Sequence, residues 1–155
     1  MSVANELALA SLRPMLKEDI DIVMEIELAS YDYPWKAKIY QDCLKVGYGC
    51  WIMEYAQKVV GYGILTAGAG EAHVLNICIR DDFRRYGMGR MMLNHLQKLA
   101  REHNANTIFL EVRMSNIGAY RLYEQEGFSE VGLRKNYYPA ANGREDAIIM
   151  ARELV

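Results

Sequence analysis

The sequence predicts a single α/β domain on a mixed, mostly antiparallel sheet of about seven strands, with about four helices on its two faces. Short runs of alternating or continuous apolar residues indicate strands, and segments with apolar residues at helical spacing lie between them. Short polar turns join neighbouring strands, which is typical of antiparallel pairing. One strand–helix–strand unit over residues 72–112 predicts a parallel pair at the centre of the sheet.

The first half of the chain predicts two helices and four strands. A helix opens at residues 17–19 and continues with apolar residues at a 3.6-residue period. Tyr33-Pro34-Trp35 breaks it, and a second short helix follows over Lys36–Val46. A polar turn at Gln57 makes a hairpin of the strands on either side. The predicted strands are Ala8–Met15, Cys50–Tyr55, Val59–Thr66 and Ala72–Ile79.

The second half predicts two helices and three strands. A glycine-rich turn leads into an amphipathic helix over Arg90–His103, and Ile108–Val112 is a short buried strand. Asn116 can cap a helix over Ile117–Glu126, and Gly127 can end it in a left-handed conformation. The last predicted strands are Phe128–Leu133 and Asp146–Leu154, joined by an irregular loop over Lys135–Arg144.

Composition limits the classes of protein that the chain can represent. Its 155 residues fit one domain, 1–155, and the net charge of −2 gives no overall basic field for nucleic acid. No apolar run reaches the roughly 18 residues of a membrane span, and the N-terminus lacks the pattern of a secretory signal. Cys43, Cys50 and Cys78 predict no disulfide framework. We therefore expect a cytoplasmic protein that is a monomer or weak dimer. No metal is expected, because the three histidines lack zinc-site spacing.

The glycine-rich turn is the strongest functional signal. A turn of this kind that opens a helix leaves backbone N–H groups without helical partners, and the helix dipole adds positive charge there. The sequence therefore predicts a site for a phosphate or pyrophosphate. Its residues are Arg84, Arg85, Tyr86, Gly87, Met88, Gly89 and Arg90.

The spacing of the glycines excludes two common phosphate loops. A Walker A loop requires GxxxxGK[ST], which does not occur, and a dinucleotide fold requires GxGxxG after the first strand. A shorter pattern, R-x-x-G-x-G, remains.

This pattern and two further blocks resemble the GNAT acetyltransferases. Arg84–Arg90 resembles the family's acetyl-coenzyme A pyrophosphate loop, Leu75–Ile79 its pantetheine-binding strand, and Asn116–Phe128 its "N…A…LYExxGF" helix. The resemblance implies the GNAT fold, with the sheet splayed at its central parallel pair, and acetyl-coenzyme A as co-substrate. It implies that Ile77, Cys78 and Ile79 pair their backbones with the pantetheine arm, and that Asn116 and Tyr123 contact the cofactor.

Three other blocks resemble one bacterial branch of the family, which acetylates the N-terminal alanine of small-subunit ribosomal protein S18. These blocks are Leu110–Asn116, Arg134–Pro139 and Gly143–Ala147. The resemblance implies that the acceptor is a ribosomal protein N-terminal peptide and that the transfer is direct.

Glu111 and Tyr123 are the candidate catalytic residues. Glu111 interrupts an apolar strand at its C-terminal end, and the residues alone slightly favour a carboxylate paired with Arg113 or Arg121. Tyr123 is a phenol on a helix, more often a core residue than an acid. The resemblance assigns Glu111 as the general base and Tyr123 as the acid for the leaving thiolate.

Aromatic residues predict the acceptor surface. Tyr137 and Tyr138 indicate a substrate-covering loop with Trp35 opposite, although a hydrophobic patch at the sheet end is the plainer interpretation. Glu27, Asp32 and Glu145 could receive basic residues of the substrate, but a solvated surface is expected for each. Cys78 has no visible histidine partner, so covalent catalysis is not expected.

Two other functions remain open at this point. One is an acetyltransferase of the same fold that takes another amine, such as other protein N-termini, lysine or a small molecule. The other is a non-catalytic sensor that binds acyl-coenzyme A. The presence of both Glu111 and Tyr123 argues against the sensor.

Overall fold

The computed structural model describes residues 8–154 and confirms the predicted fold class. A seven-stranded sheet has the order β1-β2-β3-β4-β5-β7-β6. Its strands are β1 (Ala10–Pro14), β2 (Gly49–Tyr55), β3 (Lys58–Gly68), β4 (Glu71–Ile79), β5 (Thr107–Arg113), β6 (Ser129–Ala140) and β7 (Gly143–Glu153). The helices are α1 (Ile20–Ser30), α2 (Ala37–Val46), α3 (Met88–Glu102) and α4 (Ile117–Gln125).

The two central strands separate part of the way along their length. β4 and β5 pair in parallel only from Glu71–Thr107 to Val74–Leu110. Beyond that point β4 stays paired with β3 as far as Ile79, while β5 stays paired with β7. Among residues 8–154, no strand pairs with this edge of residues 75–79, which confirms the predicted splay.

The apolar core lies on both faces of the sheet. One cluster packs α3 against the sheet, with Met92 and Leu96 fully buried above Ile108. The other cluster packs α1 and α2 against β2 and β3. Each face of the sheet is thus covered by helices that bury their own set of side chains. The open edge of β4 lies between these two packed layers.

Backbone conformation at the turns follows the predictions. Ala56 and Gln57 take positive φ angles of 48° and 70°, as expected for a two-residue hairpin turn. The Asn116 side chain accepts a hydrogen bond from the Ala119 N–H at 3.2 Å and so caps α4. Gly127 follows α4 with a φ of 92°, in the left-handed region.

The predicted loop over Lys135–Arg144 is wrong, because β6 and β7 continue through it as a long hairpin. Pairing breaks between Arg134 and Tyr138, where Asn136 has a φ of 54° and donates its N–H to Asp146 at 2.8 Å. Pairing then resumes from Tyr138–Glu145 to the turn. Pro139 is tolerated within β6 because β6 is an edge strand of the sheet.

Two helix starts differ from the prediction. The segment Lys17–Asp19 is a 3₁₀ turn, and α1 begins after it. α3 begins at Met88, two residues before the predicted start, because Gly87 takes a left-handed φ of 82° and changes the chain direction there. Residues 1–7, on which the expectation of no secretory signal depends, lie outside the described residues.

Among residues 8–154 no helix is long and apolar enough to cross a membrane. The same residues contain no group of three or more metal-ligating side chains.

Candidate active site

The glycine-rich turn lies at the N-terminus of α3 and follows β4 after a short 3₁₀ turn over Asp81–Phe83. Arg85 and Gly87 both have left-handed φ angles, 71° and 82°, and Met88 begins the helix. The first N–H groups of α3 therefore have no acceptor inside the helix, and the helix dipole makes this end positive. The turn is a suitable site for a pyrophosphate, as the sequence predicted.

Two arginines of the turn are held by protein groups. Arg84 donates from Nε to the Ile79 carbonyl at 3.1 Å, which ties the turn to the end of β4. Arg90 donates to Glu126 at 3.2 Å and to Gln125 at 2.7 Å, which ties α3 to the end of α4. These guanidinium groups thus stabilise the turn, and its backbone N–H groups are the candidate anion ligands.

Glu111 lies on β5 just past the last residue that pairs with β4. Its Oε2 atom is buried and has no hydrogen bond among the described residues. Arg134 Nε lies 3.1 Å away, but its N–H is not directed at this oxygen, so the contact is an ion pair only. Arg134, and not Arg113 or Arg121, is therefore the cation that pairs with this carboxylate.

A cavity of about 110 Å³ adjoins Glu111 at the point where the strands separate. Val74 and Leu75 of β4 form one side, and Leu110 of β5 forms the other. Oε2 of Glu111, which accepts no hydrogen bond from residues 8–154, thus lies beside open space large enough for a small polar group.

Tyr123 lies on α4, half-buried, with its ring centroid 6.0 Å from that of Phe128. Burial raises the pKa of its phenol to about 12. The hydroxyl therefore keeps its proton at neutral pH and can act as a hydrogen-bond donor.

Tyr138 links the two candidate catalytic residues. Its pKa is raised to about 12, first by burial and then by the nearby charge of Glu111, with a smaller effect from Tyr123. The Tyr137 ring packs against it edge-on at 5.0 Å. The structure therefore brings Tyr138, which was predicted to lie in a substrate-covering loop, close to Glu111 and Tyr123.

Arg113 holds this hairpin, a role that the sequence did not reveal. It donates to the Pro139 carbonyl at 2.8 Å and to Glu145 at 3.0 Å. Its guanidinium lies 4.5 Å from the centroid of the Tyr138 ring and 5.9 Å from that of Tyr33. Arg113 thus joins the β6–β7 hairpin to the loop between α1 and α2. The period of two along β5 places Glu111 and Arg113 on one face and is the signal that could have found it.

Glu145 is bound within the protein and is not a solvated residue. Its Oε2 accepts the Ser115 backbone N–H at 2.8 Å, and its Oε1 accepts from Arg113. Hydrogen bonds from Ser115 and then from Arg113 hold the pKa of Glu145 below its usual value. The expectation of a solvated surface is therefore wrong for Glu145.

The same expectation is wrong for Glu27, which is only 2% exposed. It accepts the backbone N–H of Trp35 at 2.8 Å. Trp35 packs against Tyr40, with ring centroids 5.4 Å apart. Asp32 is exposed, as expected.

Cys78 is buried at 3% exposure and adjoins the Tyr31 phenol. A buried thiol is poorly placed to attack a substrate, in line with the expectation against covalent catalysis. The neighbouring Asn76 and Tyr31, like Arg113 and Arg134, were not among the site residues predicted from the sequence.

Comparisons with known proteins identify the class. The family model described as Acetyltransferase (GNAT) family matches residues 19–128, more than half of the chain. The chain therefore belongs to the GNAT acetyltransferase family, and it is an acyltransferase, as predicted.

Relatives within the family confirm the closer resemblance, which is to RimI-type enzymes. The chain is 37% identical over 133 residues to the [ribosomal protein bS18]-alanine N-acetyltransferase of Escherichia coli K12, covering 86% of this chain and 90% of that one. The crystal structure of the ribosomal-protein-S18-alanine N-acetyltransferase from E. coli superposes with a TM-score of 0.87 at 34% identity, covering 94% of each chain. The fold also matches yncA of Salmonella typhimurium, whose structure contains acetyl-CoA, with a TM-score of 0.78 at 17% identity and 95% of each chain covered.

Proposed function

We propose that this enzyme transfers the acetyl group of acetyl-coenzyme A to the α-amine of the N-terminal alanine of ribosomal protein S18. Its E. coli relative at 37% identity carries that activity in its name. The observation that carries the proposal is the buried, hydrogen-bond-free oxygen of Glu111 beside the opening between β4 and β5. The ion pair with Arg134 leaves the hydrogen-bonding capacity of this oxygen unused, which favours a site that is completed by an amine or a water.

The fold offers acetyl-coenzyme A two kinds of contact. In the part of the chain that the structure describes, no strand pairs with the β5-facing edge of Ile77, Cys78 and Ile79, so this edge can pair with the amide groups of the pantetheine arm. The N-terminal turn of α3 would hold the pyrophosphate through its N–H groups. Asn116, which caps the start of α4, would also contact the cofactor.

Glu111 is the proposed base for the acceptor ammonium. It takes a proton from the α-ammonium directly or through one water, and the free amine attacks the thioester carbon. A C–N bond forms and the C–S bond breaks, while a backbone N–H of residues 77–79 polarises the carbonyl oxygen. The sulfur leaves as a thiolate, and the second proton of the attacking nitrogen passes to water, from which the thiolate is protonated after release.

Tyr123 would stabilise that thiolate. Its pKa of about 12 lies above the value of about 8.5 typical of a thiol, so full proton transfer to sulfur is uphill by roughly 5 kcal/mol. Tyr123 therefore acts mainly by donating a hydrogen bond to the departing sulfur. This refines the acid role predicted from the sequence.

Acceptor ionisation favours an N-terminal amine. An α-amine with a pKa near 8 costs only about 1.4 kcal/mol to deprotonate at pH 7, whereas a lysine near 10.4 costs roughly 4.6 kcal/mol. A single carboxylate base can therefore deprotonate an α-amine more easily than a lysine.

Action in the cytoplasm, as a monomer or weak dimer, stays a prediction.

A thiol-release assay tests the proposal. We expect turnover with a peptide that begins with the alanine of S18, and at least tenfold lower kcat/KM with the same peptide blocked at its N-terminus but carrying a free lysine. Equal or faster turnover of the lysine peptide would favour the enzyme with another acceptor. Tight acetyl-coenzyme A binding with no turnover on any amine would favour the sensor.

A further inference from the structure

Glu27 is a buried carboxylate that the proposed chemistry does not use. It lies on α1 and accepts four hydrogen bonds, all from neutral groups. The Tyr40 and Tyr62 hydroxyls each donate to Oε1 at 2.6 Å. The Asn76 side chain donates to Oε1 at 3.3 Å, and the Trp35 backbone N–H donates to Oε2 at 2.8 Å.

In each of these contacts the Glu27 side chain is the acceptor. A buried carboxylate is tolerated when its oxygens are hydrogen-bonded, and bonds to a charged acceptor are short. Burial raises the pKa of Tyr40 and of Tyr62, and the adjacent Glu27 raises each further, so both phenols remain donors. Glu27 therefore joins four separate segments of the chain at one point.

The first arm of this network leads to the acceptor side. The bond to the Trp35 N–H fixes the loop between α1 and α2. Tyr33, in the same loop, lies 5.9 Å from the guanidinium of Arg113, which also contacts Tyr138. The position of the loop between α1 and α2 therefore affects Tyr33, Arg113 and Tyr138, which lie on the proposed acceptor side.

The second arm leads to the cofactor side. Asn76 also donates to Tyr40 Oη at 3.0 Å, and its Oδ1 accepts from Tyr31 Oη at 3.2 Å. Tyr31 Oη lies 3.4 Å from the Ile77 carbonyl. Asn76 and Ile77 follow Val74, the last residue of β4 that pairs with β5. This arm thus supports the free edge of β4 from the side of α1.

We propose that Glu27 is a positioning residue of the acetyl-transfer site, which fixes the Trp35 loop and the separated part of β4 relative to each other. The inference rests on the proposed acetyl transfer. A carboxylate is suited to this position because its two oxygens can accept four donors at once. A glutamine offers one accepting oxygen and places an N–H₂ group against a donor.

The matched control is Asp19, the other low-exposure carboxylate next to α1. It is 8% exposed and accepts two bonds from Arg13 and one from the Leu16 N–H, at the opposite end of the helix. Both Glu27→Gln and Asp19→Asn should lower Tm. Only Glu27→Gln should lower kcat/KM for the alanine peptide, by at least tenfold, when both are assayed well below their Tm.

A readout independent of activity comes from Trp35. In a Trp51→Phe background Trp35 is the only tryptophan. We expect Glu27→Gln to shift its emission to the red and to increase acrylamide quenching at least twofold, and Asp19→Asn to leave both unchanged. Tyr62→Phe, which removes one donor and keeps the carboxylate, should give smaller changes in the same direction.

Kinetics within twofold of wild type, together with unchanged Trp35 emission in Glu27→Gln, would overturn the inference. Where Glu27→Gln does not fold, the same null result in Tyr62→Phe would overturn it. Absence of acetyl transfer by the wild-type enzyme would refute the proposed function alone, because the Trp35 emission still reports whether Glu27 fixes the loop.

Discussion

Arg134 Nε lies 3.1 Å from Oε2 of Glu111. The candidate base is thus ion-paired with a residue of the β6–β7 hairpin. The Arg134 guanidinium also lies 5.5 Å from the centroid of the Tyr137 ring. An acceptor ammonium is also a cation. It would therefore compete with Arg134 for the Glu111 carboxylate.

Replacing Arg134 should ease that competition. The Arg134 side chain is 54% exposed, and ion pairs of this kind contribute about 1 kcal/mol or less, which is roughly a fivefold change in an equilibrium. We expect Arg134→Met to lower the KM for the alanine peptide by up to about fivefold and to leave Tm nearly unchanged. Steady-state kinetics check this, with the exposed neighbour Lys135→Met as control. A higher KM in Arg134→Met would show that Arg134 assists the acceptor.

Arg113 should control the acceptor surface. Hydrogen bonds that involve charged groups contribute about 1.5–3 kcal/mol, so Arg113→Met should destabilise the protein and release the hairpin from Glu145 and Pro139. We expect the peptide KM to rise at least fivefold, with an acetyl-coenzyme A Kd within twofold of wild type. Arg121→Met, on the exposed side of α4, is the control. Equal loss of affinity for both substrates would instead indicate general unfolding of the site.

Stability at acid pH should depend on Asp19. The hydrogen bonds from Arg13 hold the pKa of Asp19 below its ordinary value of about 3.9, with help from the Leu16 N–H. A lowered pKa contributes stability that is present above pH 4 and is lost as the pH falls through the folded-state pKa. Urea midpoints between pH 5 and pH 3 should therefore fall less steeply in Asp19→Asn than in wild type. The exposed Asp21→Asn should follow wild type, and identical slopes in all three would contradict this assignment.

Cys78 should not form an acetyl-enzyme. Its thiol is buried, and a direct transfer requires no covalent intermediate. Cys78→Ala is expected to keep kcat/KM within about threefold of wild type, like the buried control Cys50→Ala. Mass spectrometry of the enzyme with acetyl-coenzyme A should detect no acetylated Cys78. A stable adduct that the peptide discharges would establish the covalent route.

Local patterns predicted most of the fold. Apolar periodicity and turn residues placed all four helices and six of the seven strands close to their observed positions. The hairpin beyond Arg134 was not predicted, although Tyr138–Glu145 and Pro139–Arg144 pair across a short turn. Proline is tolerated on edge strands and not in central ones, and the sequence alone does not show that β6 is an edge strand.

The site was predicted only in part. The glycine-rich turn and the catalytic candidates follow from sequence blocks, but the partners of charged residues depend on the tertiary structure. Glu27 was expected to be solvated, yet tyrosines from α2 and β3 enclose it. Its hydrogen-bond partners lie 8 to 49 residues away along the chain, and no local pattern indicates this pairing.

The kcat/KM of Glu111→Gln for the alanine peptide tests the central claim most directly. General-base catalysis contributes typically 10²- to 10⁴-fold, so we expect a loss of at least a hundredfold, with the acetyl-coenzyme A Kd and Tm close to those of wild type. The pH profile of the residual kcat/KM of Glu111→Gln should lack the ascending limb of the wild-type profile. A variant with kcat/KM within threefold of wild type and the same pH profile would show that Glu111 is not the base.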